Sequence, residues 1–167
     1  MTFKTFALFL TLFFFTLDPV KSETRIGIYG DWEAFVGNEG GNPVCFIGSS
    51  PIKMKGIYKT RGQTYILITH RPYVKENNVV MVAAGYKFKK GSKAWITIGK
   101  IETELFTEAS NAFASNESDK TLIKLMIKSS IMVVKGVSSR GTLTTDTYSL
   151  RGFTAAYKSI NKRCKLQ

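Results

Sequence analysis

The sequence is poor in the side chains that metal and redox chemistry depends on. It holds one histidine, His70, and two cysteines, Cys45 and Cys164. That inventory excludes a zinc finger, a multi-cysteine cluster and a disulfide-dense miniprotein. Acidic residues are also scarce, 12 against 24 Lys and Arg, which leaves a formal net charge of +12. With 44% hydrophobic residues, such a charge belongs to a folded basic protein rather than a disordered chain. No Walker A loop, HExxH helix, GxGxxG turn or GxSxG nucleophile elbow occurs. Nothing in the pattern calls for a cofactor or a metal. Internal repeats and Pro/Ser-rich linkers are missing too, so a single domain is the economical reading.

Long apolar runs are absent as well. The longest, Thr5–Leu17, falls short of the roughly 20 residues that cross a bilayer core. Lys4 precedes it, Asp18-Pro19 breaks it, and the small residues Val20 and Ser22 precede Glu23. That is the layout of a secretory signal peptide over residues 1–22, cleaved before Glu23. A retained anchor and a buried core helix are the alternatives. No Cys lies near the cut, so lipoprotein acylation is not expected there. Residues 23–167 then form the domain, periplasmic or exported, the latter meaning outer membrane-associated or secreted, with no integral span after cleavage. Export makes nucleic acid a poor partner for the basic charge. It also places two cysteines in an oxidising compartment, where an even count reads as one Cys45–Cys164 disulfide. A free or reactive thiol is the competing reading, and neither CxxC spacing nor a neighbouring His supports it.

Most of the domain reads as strands. Ile26–Val36 puts Trp32, Ala34 and Val36 on one face, and Pro43–Ile47 does the same with Cys45 and Ile47. Tyr65–Thr69 and Val79–Ala84 are near-continuous apolar runs of strand length. Gly99-Lys100 separates Trp95–Ile98 from Ile101–Phe106, a spacing that suits a type II′ hairpin with Gly at the position needing positive φ. Lys90-Gly91 marks a turn between Val79–Phe88 and Ala94–Ile98, while Ile131–Val134 and Thr142–Tyr148 supply further strands. Two helices are expected. Asn116–Lys128 has acidic residues early and Lys late, as the helix dipole prefers. Leu150, Phe153, Tyr157, Ile160 and Cys164 form one apolar stripe near the C-terminus, with Ser149 as N-cap. The fold class is therefore mainly β: an antiparallel β-sandwich-like single domain with one or two helices, including a C-terminal one.

Three places offer chemistry. His70, beside Pro72 at a strand end, reads as a hydrogen-bonded structural residue. The alternative makes it a general base for Ser138, Ser139 or Thr142 in a small hydrolase. Ser138-Ser139-Arg140-Gly141-Thr142 reads as a glycine turn, with an anion-binding loop carried by Arg140 as the alternative. Lys87, Lys89, Lys90 and Lys93 form the densest basic stretch, a hairpin tip in this reading. It offers either solubilising charge or a patch for an anionic envelope or host-surface component. Asn116-Glu117-Ser118 matches a glycosylation acceptor but needs no role beyond a helix start.

Several stretches together resemble the invasion-associated locus B family of alphaproteobacterial exported proteins. They are Tyr29–Phe35, Val44-Cys45 with Pro51–Lys53, Thr69–Pro72, Ala84–Tyr86 and Leu105–Thr107. The series continues with Met132–Gly136, Ser138–Thr142, Thr145–Leu150 and Gly152–Ala156, and ends at Cys164. The resemblance implies a small exported β-rich domain, associated in some members with host-cell invasion, and brings with it no established enzyme activity. A non-enzymatic envelope protein is thus the favoured expectation. A periplasmic hydrolase using His70 is the alternative, and the oligomeric state is left open.

Overall fold

The computed structural model describes residues 23–166, so the leader expected over residues 1–22 lies outside the described residues. Eleven strands follow: β1 (Thr24–Tyr29), β2 (Trp32–Glu39), β3 (Asn42–Ser49), β4 (Lys53–Lys55), β5 (Tyr65–Arg71), β6 (Glu76–Ala83), β7 (Lys93–Ile98), β8 (Ile101–Glu108), β9 (Asn111–Phe113), β10 (Ile131–Val137) and β11 (Leu143–Ser149). Helix α1 (Asn116–Ile127) stands between β9 and β10, and α2 (Phe153–Arg163) follows β11. A 3-10 turn, Pro72–Val74, stops β5 where proline removes the next ladder donor.

All strands join one antiparallel sheet in the order β1-β2-β3-β5-β6-β9-β8-β7-β10-β11-β4. Alternation gives the sheet one apolar face. Ala34, Ile47, Ile68 and Val80 stand opposite one another across four neighbouring strands, and Ile96 opposes Val134 further along. The sheet curls so that this face closes on itself: Trp32 Nε1–H donates to Ser149 O at 3.0 Å, and Asp31 N–H to Arg151 O at 3.0 Å. The result is the mainly β, single-domain, antiparallel architecture with a C-terminal helix that the sequence predicts.

Helix α2 lies across β1, β2 and β3 and buries Phe153, Ala156 and Ile160. Phe153 meets the fully buried Trp32 edge to face at 4.9 Å. Such aromatic contacts add roughly 0.5–1.5 kcal/mol beyond the area they bury. Cys164, at the end of α2, is bonded to Cys45 of β3 with Cα atoms 6.0 Å apart. Helix α1 packs on β6 through Leu122, Ile123 and Met126. Its N-cap Ser115 accepts the Ser118 N–H. Asp119 is buried in its first turn and accepts the Val80 N–H at 2.9 Å, which ties helix to strand. That burial pushes the carboxyl up to about 6, against the opposing pull of the Val80 bond.

Three expectations need correction. Ile26–Val36 is not one strand but the β1–β2 hairpin. The chain reverses at Gly30-Asp31, where Gly30 has φ +59° and a Cβ would lie 2.6 Å from Arg151 O. Ser149 does not cap α2, because it pairs with Ile131 in the β10–β11 ladder. The helix starts after Gly152, which approaches Tyr29 O too closely for any side chain. Lys87–Lys93 is not a hairpin tip. β9 and β8 stand between β6 and β7 in the sheet, so the segment is a loop, and its buried Phe88 bridges to Ser138. The Gly99-Lys100 hairpin holds: Ile98 pairs with Ile101 and Gly99 has φ +60°.

The disulfide closes a span of 119 residues. Replacing Cys45 and Cys164 together by Ala should therefore cost up to about 4–5 kcal/mol in the chain-entropy account. Chemical denaturation with and without reductant checks this: the double variant should lose stability and become insensitive to reductant, whereas the parent should fall to the variant's level on reduction.

Candidate functional site

Three loops meet at one end of the sheet. Residues 86–91 run beside the β10–β11 turn: Lys89 N–H donates to Val137 O and Ser139 N–H to Lys87 O, at 2.9 and 2.7 Å. The Thr142 hydroxyl reaches Ile57 O at 3.4 Å, which brings in the segment between β4 and β5. Between them opens a cleft of about 670 Å³ lined by Tyr58, Lys59, Arg61, Tyr86, Lys87 and Arg140, with Ser139 and Thr142 at its edge. No carboxylate is among its lining residues.

The cleft rests on a buried ion pair. Arg61 forks onto Asp146 of β11, Nη1 to Oδ1 at 2.6 Å and Nη2 to Oδ2 at 2.5 Å, with both side chains almost fully covered. Its Nε–H donates to Ala84 O at 2.7 Å. Tyr86 and Tyr58 stack on the guanidinium, with ring centroids 5.0 and 5.6 Å from Cζ. The Tyr86 hydroxyl in turn bonds that of Thr144 at 2.6 Å. Planar, delocalised and weakly hydrated, guanidinium is the cation best suited to such burial. Three of its five N–H groups donate to Asp146 and Ala84 and its charge is compensated there, so Arg61 shapes the cleft without offering it free charge. The charge comes from Lys59, Lys87 and Arg140.

The predicted basic residues thus divide. Lys87 and Arg140, 53 positions apart in the chain by their numbering, face one cleft. Lys89 and Lys90 are exposed further along the same loop. Lys93 has moved onto β7 and pairs with Glu104 at 2.9 Å. The 138–142 segment is a glycine turn, with Gly141 at φ +83°. The amides of Ser138, Ser139, Gly141 and Thr142 all donate within the protein, so the turn contributes the Arg140 side chain rather than a cradle of N–H groups. Lys59, Arg61, Tyr58 and Tyr86 were not predicted. The segment 56–63 carries no strand or helix periodicity, and Asp146 lies 85 positions from Arg61.

His70 is fully buried beneath α2, directly opposite Cys45 in the β3–β5 ladder. Its Nδ1 accepts the Asn78 N–H at 3.0 Å, which leaves the proton on Nε2, 2.9 Å from Asn161 Oδ1. Burial pushes the imidazole down to about 4, against a smaller opposing pull from Asn161. Both nitrogens are engaged, and neither meets the hydroxyl of Ser138, Ser139 or Thr142, so the hydrolase reading gains no support. Among the described residues, no group of three or more His, Cys, Asp or Glu is placed to hold a metal ion. No described helix is long and apolar enough to cross a membrane. A second depression of about 540 Å³ lies on the outer sheet face over the stacked Phe35 and Phe46, and its Arg71 and Glu39 bond each other.

Removing one partner of the buried pair should be far worse than removing surface charge. Arg61→Met leaves Asp146 buried and uncompensated, at a cost of about 3–5 kcal/mol, whereas Arg140→Gln should stay within about 0.5 kcal/mol. Thermal unfolding of the two variants checks the contrast.

A comparison with curated protein sequences returns no match. Among solved structures, the crystal structure of invasion associated protein B from Bartonella henselae superposes with a TM-score of 0.60. It covers 83% of this chain and 96% of that one at 14% identity, a likeness of fold. The family described as invasion associated locus B (IalB) protein matches residues 32–161, which span both the disulfide-bearing strand and the three-loop end. The chain belongs to the invasion associated locus B family.

Proposed function

We propose that this protein is exported, loses residues 1–22 by cleavage before Glu23, and acts without catalysis by binding an anionic component of the envelope or of a host surface. The observation that carries this reading is the three-loop end. There Lys59, Lys87 and Arg140 line one cleft without a carboxylate, and Lys89 and Lys90 extend the same field. Cations reinforce one another where they lie within about one Debye length, 8–10 Å at physiological salt. The Cys45–Cys164 bond fits an oxidising compartment outside the cytoplasm. The Bartonella henselae protein is named for invasion. For this chain the corresponding setting would be contact with a host surface from the bacterial envelope.

The test is the combined change of Lys87, Lys89, Lys90 and Arg140 to Gln, assayed for association with envelope fractions and host membranes. Each Lys or Arg near an anionic surface is worth about 1 kcal/mol, so affinity should fall by at least about tenfold and the salt dependence of the remainder, carried by Lys59, should weaken. Lys93→Gln, which only releases Glu104, should change little. Unaltered, salt-independent association of the quadruple variant would make the basic charge a solubility device.

The processing step has its own check. N-terminal sequencing of protein from a periplasmic extract should begin at Glu23. An intact Met1 in the membrane fraction would favour a retained anchor.

A further inference from the structure

The three-loop end carries apolar side chains as well as charge. Ile57 is 95% exposed, an extreme value for a branched aliphatic residue, and its own carbonyl is held by Thr142 across the cleft. Leu143, the first residue of β11, is 58% exposed, and its carbonyl lies about where a Cβ on Gly56 would contact it, at 3.1 Å. Tyr58, 37% exposed, stands between Ile57 and the Arg61 guanidinium on which it stacks. Lys59, Lys87 and Arg140 share the cleft with Ile57 and Tyr58. Lone exposed apolar residues are common and need no account. Here an aliphatic tip, an amphipathic ring and a collar of cations occupy one end of the molecule. That combination is how peripheral proteins meet a bilayer: apolar groups enter the headgroup boundary while Lys and Arg meet anionic lipid.

We infer that this end docks on an anionic lipid bilayer, with Ile57 entering the interface and Tyr58 at headgroup level. The inference rests on the binding reading above and names its partner. The chemistry of the cleft favours a bilayer over an acidic saccharide. A saccharide site needs fixed, directional donors, yet the buried guanidinium of Arg61 already aims three of its five N–H groups at Asp146 and Ala84, and Asp146 neutralises its charge. The turn amides beside Arg140 are likewise used internally. What is left is charge on flexible side chains, which suits the diffuse field of a lipid surface. The buried Arg61–Asp146 pair then serves to hold the 57–61 segment in place, so the tip is ordered before it meets the membrane.

The protein, purified from the producing cell as that cell processes it, is titrated with vesicles of phosphatidylcholine alone and of phosphatidylcholine with about one third phosphatidylglycerol. The same preparations are run on a heparin column as a lipid-free polyanion. The parent should bind the anionic vesicles and not the neutral ones. Ile57→Ser should weaken vesicle binding by about tenfold while eluting from heparin at the parent's salt concentration. Because Ile57 touches almost nothing, the variant should unfold at the parent's temperature. Ile57→Trp should bind vesicles at least as well as the parent and show a blue-shifted emission in their presence. Retention on heparin without vesicle binding overturns the bilayer inference and leaves the basic-face reading standing. Equal vesicle affinity for Ile57→Ser and the parent overturns the insertion of Ile57. Binding to neither probe overturns the basic-face reading itself.

Discussion

Everything in this fold depends on covering one apolar sheet face. Eleven antiparallel strands with alternating side chains make a single surface that includes Trp32, Ile47, Ile68, Ile96 and Tyr148, too large to leave in water. Curling disposes of most of it, and the two helices cover the rest. Helix α2 is the critical cover, because it seats Phe153 on Trp32 and is locked to β3 by the disulfide. The tight turn at Gly30-Asp31 lets the β1–β2 hairpin meet the entry to α2, where Arg151 also forks onto Asp31 at 2.8 and 3.1 Å.

The polar interior obeys a different rule. Arg61 and Asp146 are together stable and singly costly, since either alone would be a charge without water or partner. Tyr148, on the same inner face, is held neutral first by burial and then by the nearby Asp146 charge, well above the ordinary phenol range. Its hydroxyl has no partner among the described residues. The pair also decides where free charge lies. With Arg61 neutralised at the floor, the cations of the cleft are those on its rim. Uncompensated charge around a rigid base follows from that arrangement.

Two further buried groups act on stability with opposite signs. His70 titrates near 4 in the fold and 6.5 when unfolded, so lowering the pH between these values protonates the unfolded chain first and erodes stability. Asp119 titrates near 6 in the fold and 3.8 when unfolded, so raising the pH over that window ionises the unfolded chain first and also erodes stability. The windows overlap, and the two slopes offset each other between about pH 4 and 6. Both groups anchor a helix to the sheet, His70 through Asn161 of α2 and Asp119 through Val80 of β6.

The sequence by itself determined what local periodicity and composition can carry. Alternation marked β3, a near-continuous apolar run marked β5, and β-rich composition marked β10 and β11; a glycine at the right place marked the β7–β8 hairpin, and the 3.6-residue stripe of Phe153, Tyr157 and Ile160 marked α2. Export logic and an even count paired Cys45 with Cys164. Tertiary structure alone decided the rest. It placed β9 and β8 between β6 and β7, turning the Lys87–Lys93 segment from a hairpin tip into a loop. Ser149 went to a strand ladder because pairing with Ile131 took precedence over capping. Above all, it joined Arg61 to Asp146 and brought Lys87 and Arg140 to one cleft. Contacts between such distant positions leave no periodic trace, because they are set by how the sheet curls to hide its apolar face rather than by any residue's neighbours in the chain.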